Sequence, residues 1–580
     1  MRLDRARLDD RTLLVVVAVA VVGLLARLVF LGARISHFDE ARVAFWVLRY
    51  AETGEIHYRY GIHGPWVRYV ARWTYALFGA TDFAARLPVA IVGGVLPLVA
   101  LWFRHRLSDS EVVALAVLLA ANPLLLYYSR FMRSTLLVAA FCFAAFAAFL
   151  RAYDGFGAWY LYVGVVLLGF GLAAKENAVV YVLCWLGAAA LLVDTALFRP
   201  RNFGSGRERA VALAGRVRDR YREHPRRARR RAGWYVGHLL GAAGVFALVV
   251  FFFYAPRGGE AGLWSGNLGL TVDRTIEDLR TGFEYWFGHG EEKSIAEYRD
   301  TLDRFVSTTL GYAGPLFVLS IAGFLLDRWG RLRQRGLVAF CSYWGFASVV
   351  GYPLGTDIWG AWIIVNALVP LAVPAAVALA ALFEVGRDAY ADDDRISAGI
   401  VAALLVLVAG QVAVVGATGV YASPTSPDNE MVQFAQPQQE MRPAVDATVA
   451  AADANAEGPD ALFYGGEAFV DMQENQIHTP SCIDWFNTLP WGWYIEANDV
   501  SVTCAQPAGG LPESPPPVVV AEAECTLERP VDCREQTEAL SAVDNLDARL
   551  GDSYERYGFL HRTTGGNDFH GMVVFVEEER

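Results

Sequence analysis

The chain has 580 residues, 54% of them apolar, with a mean hydropathy of +0.30. That excess of apolar side chains excludes an ordinary soluble multidomain enzyme and indicates a chain that crosses a membrane many times. The formal net charge of −11 conceals a division, because residues 422–580 hold 28 acidic and 7 basic side chains and the remainder 33 acidic and 43 basic.

A basic membrane part thus carries an acidic soluble tail. Of the 50 basic residues only Lys175 and Lys293 are lysine. An acidic, lysine-poor surface suits high salt, where dense carboxylates are screened from one another; high genomic GC content accounts for the arginine bias equally well.

A spanning helix needs about 20 apolar residues. In chain order the expected spans are 12–33, 86–103, 111–128, 134–150, 158–174, 177–197, 234–255, 309–327, 337–354, 359–383 and 397–419. No small-residue cleavage motif follows the first, and Arg27 interrupts its apolar run, so it reads as a retained anchor rather than a signal peptide. The loop 199–233 contains thirteen arginines against Glu208, Asp219 and Glu223, which predicts a cytoplasmic loop. Counting from it, the Arg328–Arg335 loop, Arg104-His105-Arg106 and the N-terminus with Arg2, Arg5, Arg7 and Arg11 all fall inside. The count holds if residues 64–79 do not span. Arg68 and Arg72 lie four apart there among Trp66, Trp73 and Phe78, the pattern of a helix in the headgroup plane, and 40–53 reads as a second such helix with Asp39 as its N-cap.

Residues 422–443 read as a Pro/Ser/Gln-rich linker and 444–580 as a small extracellular α/β domain. Its expected elements are strands at 461–465, 517–521 and 572–577 and an amphipathic helix at 534–550. The aromatic run Trp485, Phe486, Trp491, Trp493 and Tyr494 suits either a domain core or a sugar-stacking platform, the core being the simpler reading. Cys142, Cys184 and Cys341 lie in apolar segments, whereas Cys482, Cys504, Cys525 and Cys533 lie in the tail and suggest two disulfides. Three pairings are open; short loops favour Cys482–Cys504 with Cys525–Cys533.

The charged groups that break the apolar pattern return to the outer side. Asp39-Glu40 follows the first span, and a carboxylate in a water-poor cleft can act as a general base; the competing reading is a helix cap beside a solvated glutamate. Arg130 and Arg133, three apart between two spans, present one cationic face at helical spacing, suited to a phosphate or to lipid headgroups. Lys175-Glu176 joins two spans with almost no loop. Ionisable groups near hydrocarbon cost roughly 2.5–3.5 kcal/mol at the centre and are functional candidates, against the plainer reading of a local ion pair. His63-Gly64-Pro65 opens the 64–79 helix. His37, His57 and His63 with Glu52 and Glu55 match no standard metal-ligand spacing, so no metal and no cofactor is expected. There is no Walker A, no Gly-x-Gly-x-x-Gly and no nucleic-acid-binding pattern. With the cluster facing outward, a sugar donor would be lipid-linked.

A first span followed by an outer Asp-Glu pair resembles the GT-C glycosyltransferases, in particular the protein O-mannosyltransferase and aminoarabinose-transferase branch. His63-Gly64-Pro65 is similar to that branch's His-Pro-Pro element, with Gly for one Pro, and Ala84-Ala85-Arg86-Leu87-Pro88 to its Ala-x-Arg-Leu-Pro stretch. The likeness covers about residues 12–200; the layout as a whole most resembles the archaeal flippase-activity-associated membrane proteins of N-glycosylation. The fold implied is an all-α, GT-C-like membrane domain over 1–421, with about eleven spans, followed by the α/β domain.

The activity implied is inverting, metal-independent transfer of a sugar from a polyprenyl (dolichyl) phosphate to a lipid-linked glycan or protein acceptor. Asp39 would be the base and Glu40 would orient the acceptor or Asp39. Arg130, Arg133 and Lys175, with Glu176 beside them, would hold the phosphate, and His63 would shape its entrance. The same groups would also serve a polyprenyl-phosphate-sugar flippase or a flippase-associated lipid-binding protein.

Overall fold

The computed structural model describes residues 10–60, 63–198, 205–223, 225–288, 293–330, 335–356, 358–471, 478–527, 532–533, 536–562 and 569–578. Arg2, Arg5 and Arg7, and the parts of the two arginine-bearing loops at 199–204, 224 and 331–334, lie outside them. The chain forms two compact units: Met1–Val29, Glu55–Val67 and Val89–Val420 make one, and Phe30–Gly54, Arg68–Pro88 and Tyr421–Arg580 the other.

The first unit is helical. Its elements are α1 (Arg11–Leu28), then, after three helices that belong wholly or partly to the second unit and of which the last leaves its second half, from Val89, in the first, α5 (Asp109–Ala121), α6 (Pro123–Tyr128), α7 (Ser134–Tyr153), α8 (Trp159–Ala174), α9 (Ala178–Phe198), α10 (Gly206–Glu223), α11 (Pro225–Tyr254), α12 (Leu268–Gly288), α13 (Ile295–Trp329), α14 (Gly336–Gly355), α15 (Val365–Ala391) and α16 (Arg395–Val415). Among the described residues nine helices, some with their 3₁₀ or π extensions, are long and apolar enough to cross a membrane. The two other expected spans are shorter helices: 111–128 is broken into α5 and α6 at Asn122-Pro123, and α8 has 16 residues. Pro123 starts a new helix, with the Asn122 side chain accepting the Leu125 N–H. Residues 256–308, expected as a loop, contain α12 and the first turns of α13, which kinks at Ala313 just before Pro315.

Burial sorts these helices. The α15 core, apolar on every face, is covered all round, whereas α1 and α16 leave Leu14, Val22, Leu25, Val406 and Leu407 exposed. Apolar surface on that scale is stable only against lipid. Arg27, buried in α1, donates to Gly23 O at 2.8 Å and Ala120 O at 3.0 Å, which explains how the first span tolerates it. Ion pairs tie one end of the unit together. Arg104 pairs with Asp10, Arg106 with Asp154 at 2.8 Å, and Arg335 with Glu111 and Asp327 at 2.8 Å each. The Arg104–Arg106 and Arg335 loops therefore share that end with the start of α1.

The second unit contains α2 (Phe38–Thr53), most of α3 (Pro65–Phe78) and the start of α4 (Asp82–Val95) together with the tail. In the tail α17 (Met441–Ala454) precedes a six-stranded sheet: β1 (Ala461–Tyr464), β2 (Val502–Ala505), β3 (Val518–Cys525), β4 (Leu540–Ala542), β5 (Tyr554–Arg562) and β6 (Phe569–Glu577). The order is β2-β1-β3-β6-β5, with β4 pairing β3; β1 is parallel to β2 and β3, and the remaining pairs are antiparallel. Leu462, Val519, Leu540, Leu546, Val573 and Phe575 form its core. The short helices α18 (Trp485–Thr488) and α19 (Trp491–Ala497) lie between β1 and β2.

Three expected strands are present. The helix expected over 534–550 is not: its described part is β4, flanked by 3₁₀ turns, and the short α20 (Leu546–Leu550). Pairing of 540–542 with 523–525 and the left-handed Asp544 and Asn545 override the helical periodicity. Residues 422–443, read as a linker, bury Met431, Gln433, Ala435 and Gln436. The disulfides are Cys482–Cys504 and Cys525–Cys533, each with a Cα separation of 6.0 Å.

Candidate functional site

The Asp39-Glu40 pair belongs to the second unit, in the first turn of α2. Asp39 is not the N-cap. The helix starts at Phe38, two residues earlier than expected, and His37 caps it, its Nδ1 accepting the Asp39 N–H at 3.0 Å while Glu40 Oε2 accepts the His37 N–H at 3.0 Å. Gly54, at φ +71°, closes the helix with a left-handed turn.

The two adjacent carboxylates have different surroundings. Glu40 is buried. Arg34 donates to its Oε2 at 2.7 Å, and Arg86 reaches Oε1 at 2.9 Å and Oε2 at 3.1 Å. Burial opposes its ionisation, but the Arg34 and Arg86 guanidinia outweigh that and hold its carboxyl well below the usual glutamate range. Asp39 keeps a quarter of its side chain exposed and lies 3.8 Å from Arg42. The Arg42 guanidinium sits over Phe38 at 5.5 Å and the half-exposed Phe486 at 5.6 Å.

Asp82, the first residue of α4, is a second buried acid. It accepts from the Ser36 hydroxyl at 2.7 Å, the Trp493 indole at 3.1 Å, the Tyr494 hydroxyl at 2.8 Å and Arg442. In α3, Arg68 is buried rather than lying on a polar face with Arg72, which stacks over Tyr50 at 4.6 Å. Of the aromatic run, Trp485, Trp491, Trp493 and Tyr494 are buried in the domain; Phe486 alone of the five is half-exposed.

The other expected site residues belong to the first unit, at the end opposite the Arg104 and Arg335 ion pairs. Residues 129–133 are a turn, so Arg130 and Arg133 do not share the helical face expected of them. Arg130 donates to the carbonyls of Ala26, Arg27 and Val29 at 3.3, 3.0 and 2.5 Å, satisfying the C-terminal end of α1. Arg133, in extended backbone at the start of α7, places its guanidinium 4.0 Å above Trp362. His63 Nδ1 lies 3.2 Å from the Ser134 hydroxyl.

Lys175 caps α8 in an extended conformation, its N–H donating to Gly171 O at 3.1 Å. Glu176 is buried, accepting from the Tyr58 hydroxyl at 2.6 Å with the Tyr254 hydroxyl at 3.1 Å. The Gly64 N–H donates to Ala174 O at 2.9 Å, which seats His63-Gly64 against the residue preceding Lys175. His63 and Ser134 are thus in contact, with Arg133 preceding Ser134 in the chain, and Glu176 is in contact with Tyr58 and Tyr254, with Lys175 preceding Glu176.

The sequence pattern gave no role to Arg34, Asp82, Arg442 and Trp362, marked Tyr494 only within the aromatic run, and showed Arg86 only as part of a motif. Asp82 and Arg86, four apart at the head of an apolar run, were a legible signal. Arg442 and Tyr494 lie hundreds of residues away from these partners and carried none.

Residues 441–577 match the model of the Agl23 flippase-associated protein C-terminal domain, and residues 62–202 that of the dolichyl-phosphate-mannose-protein mannosyltransferases. No curated protein matches the chain. Among solved structures, ArnT from Cupriavidus metallidurans in the apo state is similar at TM-score 0.52 and 16% identity, covering 84% of this chain and 85% of its own. The same enzyme bound to undecaprenyl phosphate is similar at TM-score 0.53 and 15% identity, covering 97% of each chain. At such identity the likeness is one of fold.

Proposed function

Starting from a chain with the GT-C membrane glycosyltransferase fold and the C-terminal domain of the Agl23 flippase-associated proteins, we propose that it transfers a sugar from a polyprenyl-phosphate donor to a hydroxyl acceptor at the outer membrane face. The acceptor class is a lipid-linked glycan or a protein. The observation that carries the reading is the division of labour in the acidic pair. Glu40 is consumed by two buried guanidinia, while its neighbour Asp39 keeps solvent access at a fixed helix start. That is the arrangement a general base requires: one group placed, the adjacent one placing it. Polyprenyl phosphate as donor is supported by the similarity to an ArnT structure bound to undecaprenyl phosphate.

In the proposed reaction the acceptor oxygen attacks the anomeric carbon and passes its proton to Asp39. The bond from that carbon to the phosphate oxygen breaks, the electron pair leaves with the polyprenyl phosphate, and the configuration inverts. Arg133 and Lys175 stabilise the leaving phosphate without a metal ion. Arg130, engaged by the end of α1, and Glu176, held by Tyr58 and Tyr254, shape the ground on which the phosphate sits, and His63 borders it. With purified protein and a polyprenyl-phosphate hexose, Asp39→Asn lowers kcat about 10²- to 10⁴-fold and leaves the thermal midpoint unchanged. Wild-type turnover in that variant removes Asp39 from the chemistry.

The outer placement rests on arginine density. In intact cells an impermeant maleimide reacts with Ser426→Cys, and Arg216→Cys reacts only after permeabilisation; the opposite pattern inverts the scheme. A second reading, a polyprenyl-phosphate-sugar flippase or its lipid-binding partner, is favoured by the family description of residues 441–577. Sealed vesicles separate the two, because a flippase moves the donor lipid between leaflets without consuming it.

A further inference from the structure

We infer that the C-terminal tail positions the catalytic loop: His37 and Tyr494 tie the base-bearing turn of α2 to residues 434–494, so that the tail sets the rate of sugar transfer. This rests on the reading of Asp39 as the base.

The loop 33–37 has no regular structure, yet its buried backbone groups must find partners. Several of them come from the tail. The Ile35 N–H donates to Gln439 Oε1 at 3.2 Å, and the Gln439 amide donates back to Ala33 O at 3.0 Å. Gln436 donates to Ile35 O at 3.3 Å and accepts from Arg34 at 3.0 Å. The Ser36 N–H donates to the Tyr494 hydroxyl oxygen at 2.8 Å, and that hydroxyl donates to Asp82.

The last link is His37. Its Nδ1 accepts the Asp39 N–H, which places the ring proton on Nε2, and Nε2 lies 2.7 Å from Phe434 O. One imidazole therefore joins a tail carbonyl to the backbone of the base. A linker of Pro/Ser/Gln composition would have no reason to bury Gln436; clamping a catalytic loop is such a reason. Misplacing a reacting group by about 1 Å costs on the order of 10²-fold in rate, so these bonds bear on turnover rather than on donor affinity.

The test uses full-length protein in detergent with polyprenyl-phosphate hexose. Tyr494→Phe keeps the ring and removes the oxygen that holds the Ser36 N–H and Asp82. It is expected to lower kcat ten- to a hundredfold with donor KM unchanged, to lower the thermal midpoint by less than Glu40→Gln does because the buried Ser36 N–H loses its acceptor, and to speed hydrogen–deuterium exchange in residues 33–39. In an Asp39→Asn background the same change adds no further loss, because both act on one group. Should Tyr494→Phe fail to fold, Gln439→Ala carries the same expectation with a smaller loss. Wild-type kcat, unchanged exchange at 33–39, or losses that multiply with Asp39→Asn overturn the proposal. If Asp39→Asn is itself fully active, the base assignment fails; accelerated exchange at 33–39 would still show the clamp, without its role in turnover.

Discussion

Glu40→Gln lowers the stability of the second unit by roughly 3–5 kcal/mol, the largest single effect expected at this site. The substitution keeps shape and removes charge. Arg34 and Arg86 are left buried, facing an amide that cannot satisfy both. Breaking one side of a buried pair costs far more than the pair's net contribution, because the remaining charge stays desolvated. Arg86 is also bonded to Leu31 O at 3.0 Å and Arg34 O at 2.9 Å, so the loop entering α2 loosens with it.

The pH dependence follows from the lowered carboxyl. A depressed folded value means that the stabilisation is complete above the ordinary glutamate value of about 4.3 and is lost as the pH falls towards the folded one. The Glu40→Gln protein should lack that acid-dependent component. Thermal unfolding in detergent at neutral and acidic pH, compared with wild type, measures both. Asp39→Asn is the control, since a partly exposed pair at 3.8 Å contributes about 0–1 kcal/mol. Equal midpoints for wild type and Glu40→Gln would show that the buried pair is not formed.

The second large effect is expected from Gly64→Ala. A Cβ at Gly64 would stand 2.2 Å from Ala173 O and 2.8 Å from the Ala173 and Ala174 carbonyl carbons. These are backbone atoms at the end of α8 and cannot turn aside, so the His63-Gly64 segment must lift and lose its bond to Ala174. Overpacking of this kind costs about 1–3 kcal/mol. The strain falls beside Lys175, so the expected readout is a donor KM raised on the order of 5- to 150-fold, with the thermal midpoint moving less than in Glu40→Gln. Gly64→Pro goes further, because it also removes the donated N–H. This gives a physical reason for glycine at a position where the resembled branch carries proline. An unaltered donor KM in Gly64→Ala would detach this contact from lipid binding.

Much of the architecture was legible from local pattern. Apolar runs of about 20 residues located most of the spans, arginine-rich loops grouped the ends that the Arg104, Arg106 and Arg335 ion pairs hold together, and short cysteine spacings matched the disulfides. Short continuous apolar runs marked β1, β3 and β6, because a strand buried on both faces is written as such a run along the chain itself.

What the chain could not show locally is which charge meets which. Asp39-Glu40 was visible as a pair, but its partition into a locked and an accessible acid depends on Arg34 and on Arg86, 46 residues beyond Glu40. The hold on Asp82 and the loop before α2 depends on Gln436, Arg442 and Tyr494, some 360–460 residues away from their partners. Likewise Arg130 and Arg133, three apart, diverge because 129–133 is a turn, and 540–542 became a strand because β3 offered an edge. By itself the sequence determined where chain meets lipid and which residues were costly to bury, since hydrophobic burial follows composition and period. Only the tertiary structure decided their partners, because an ion pair or hydrogen bond acts over a few ångströms in space and leaves no period along the chain.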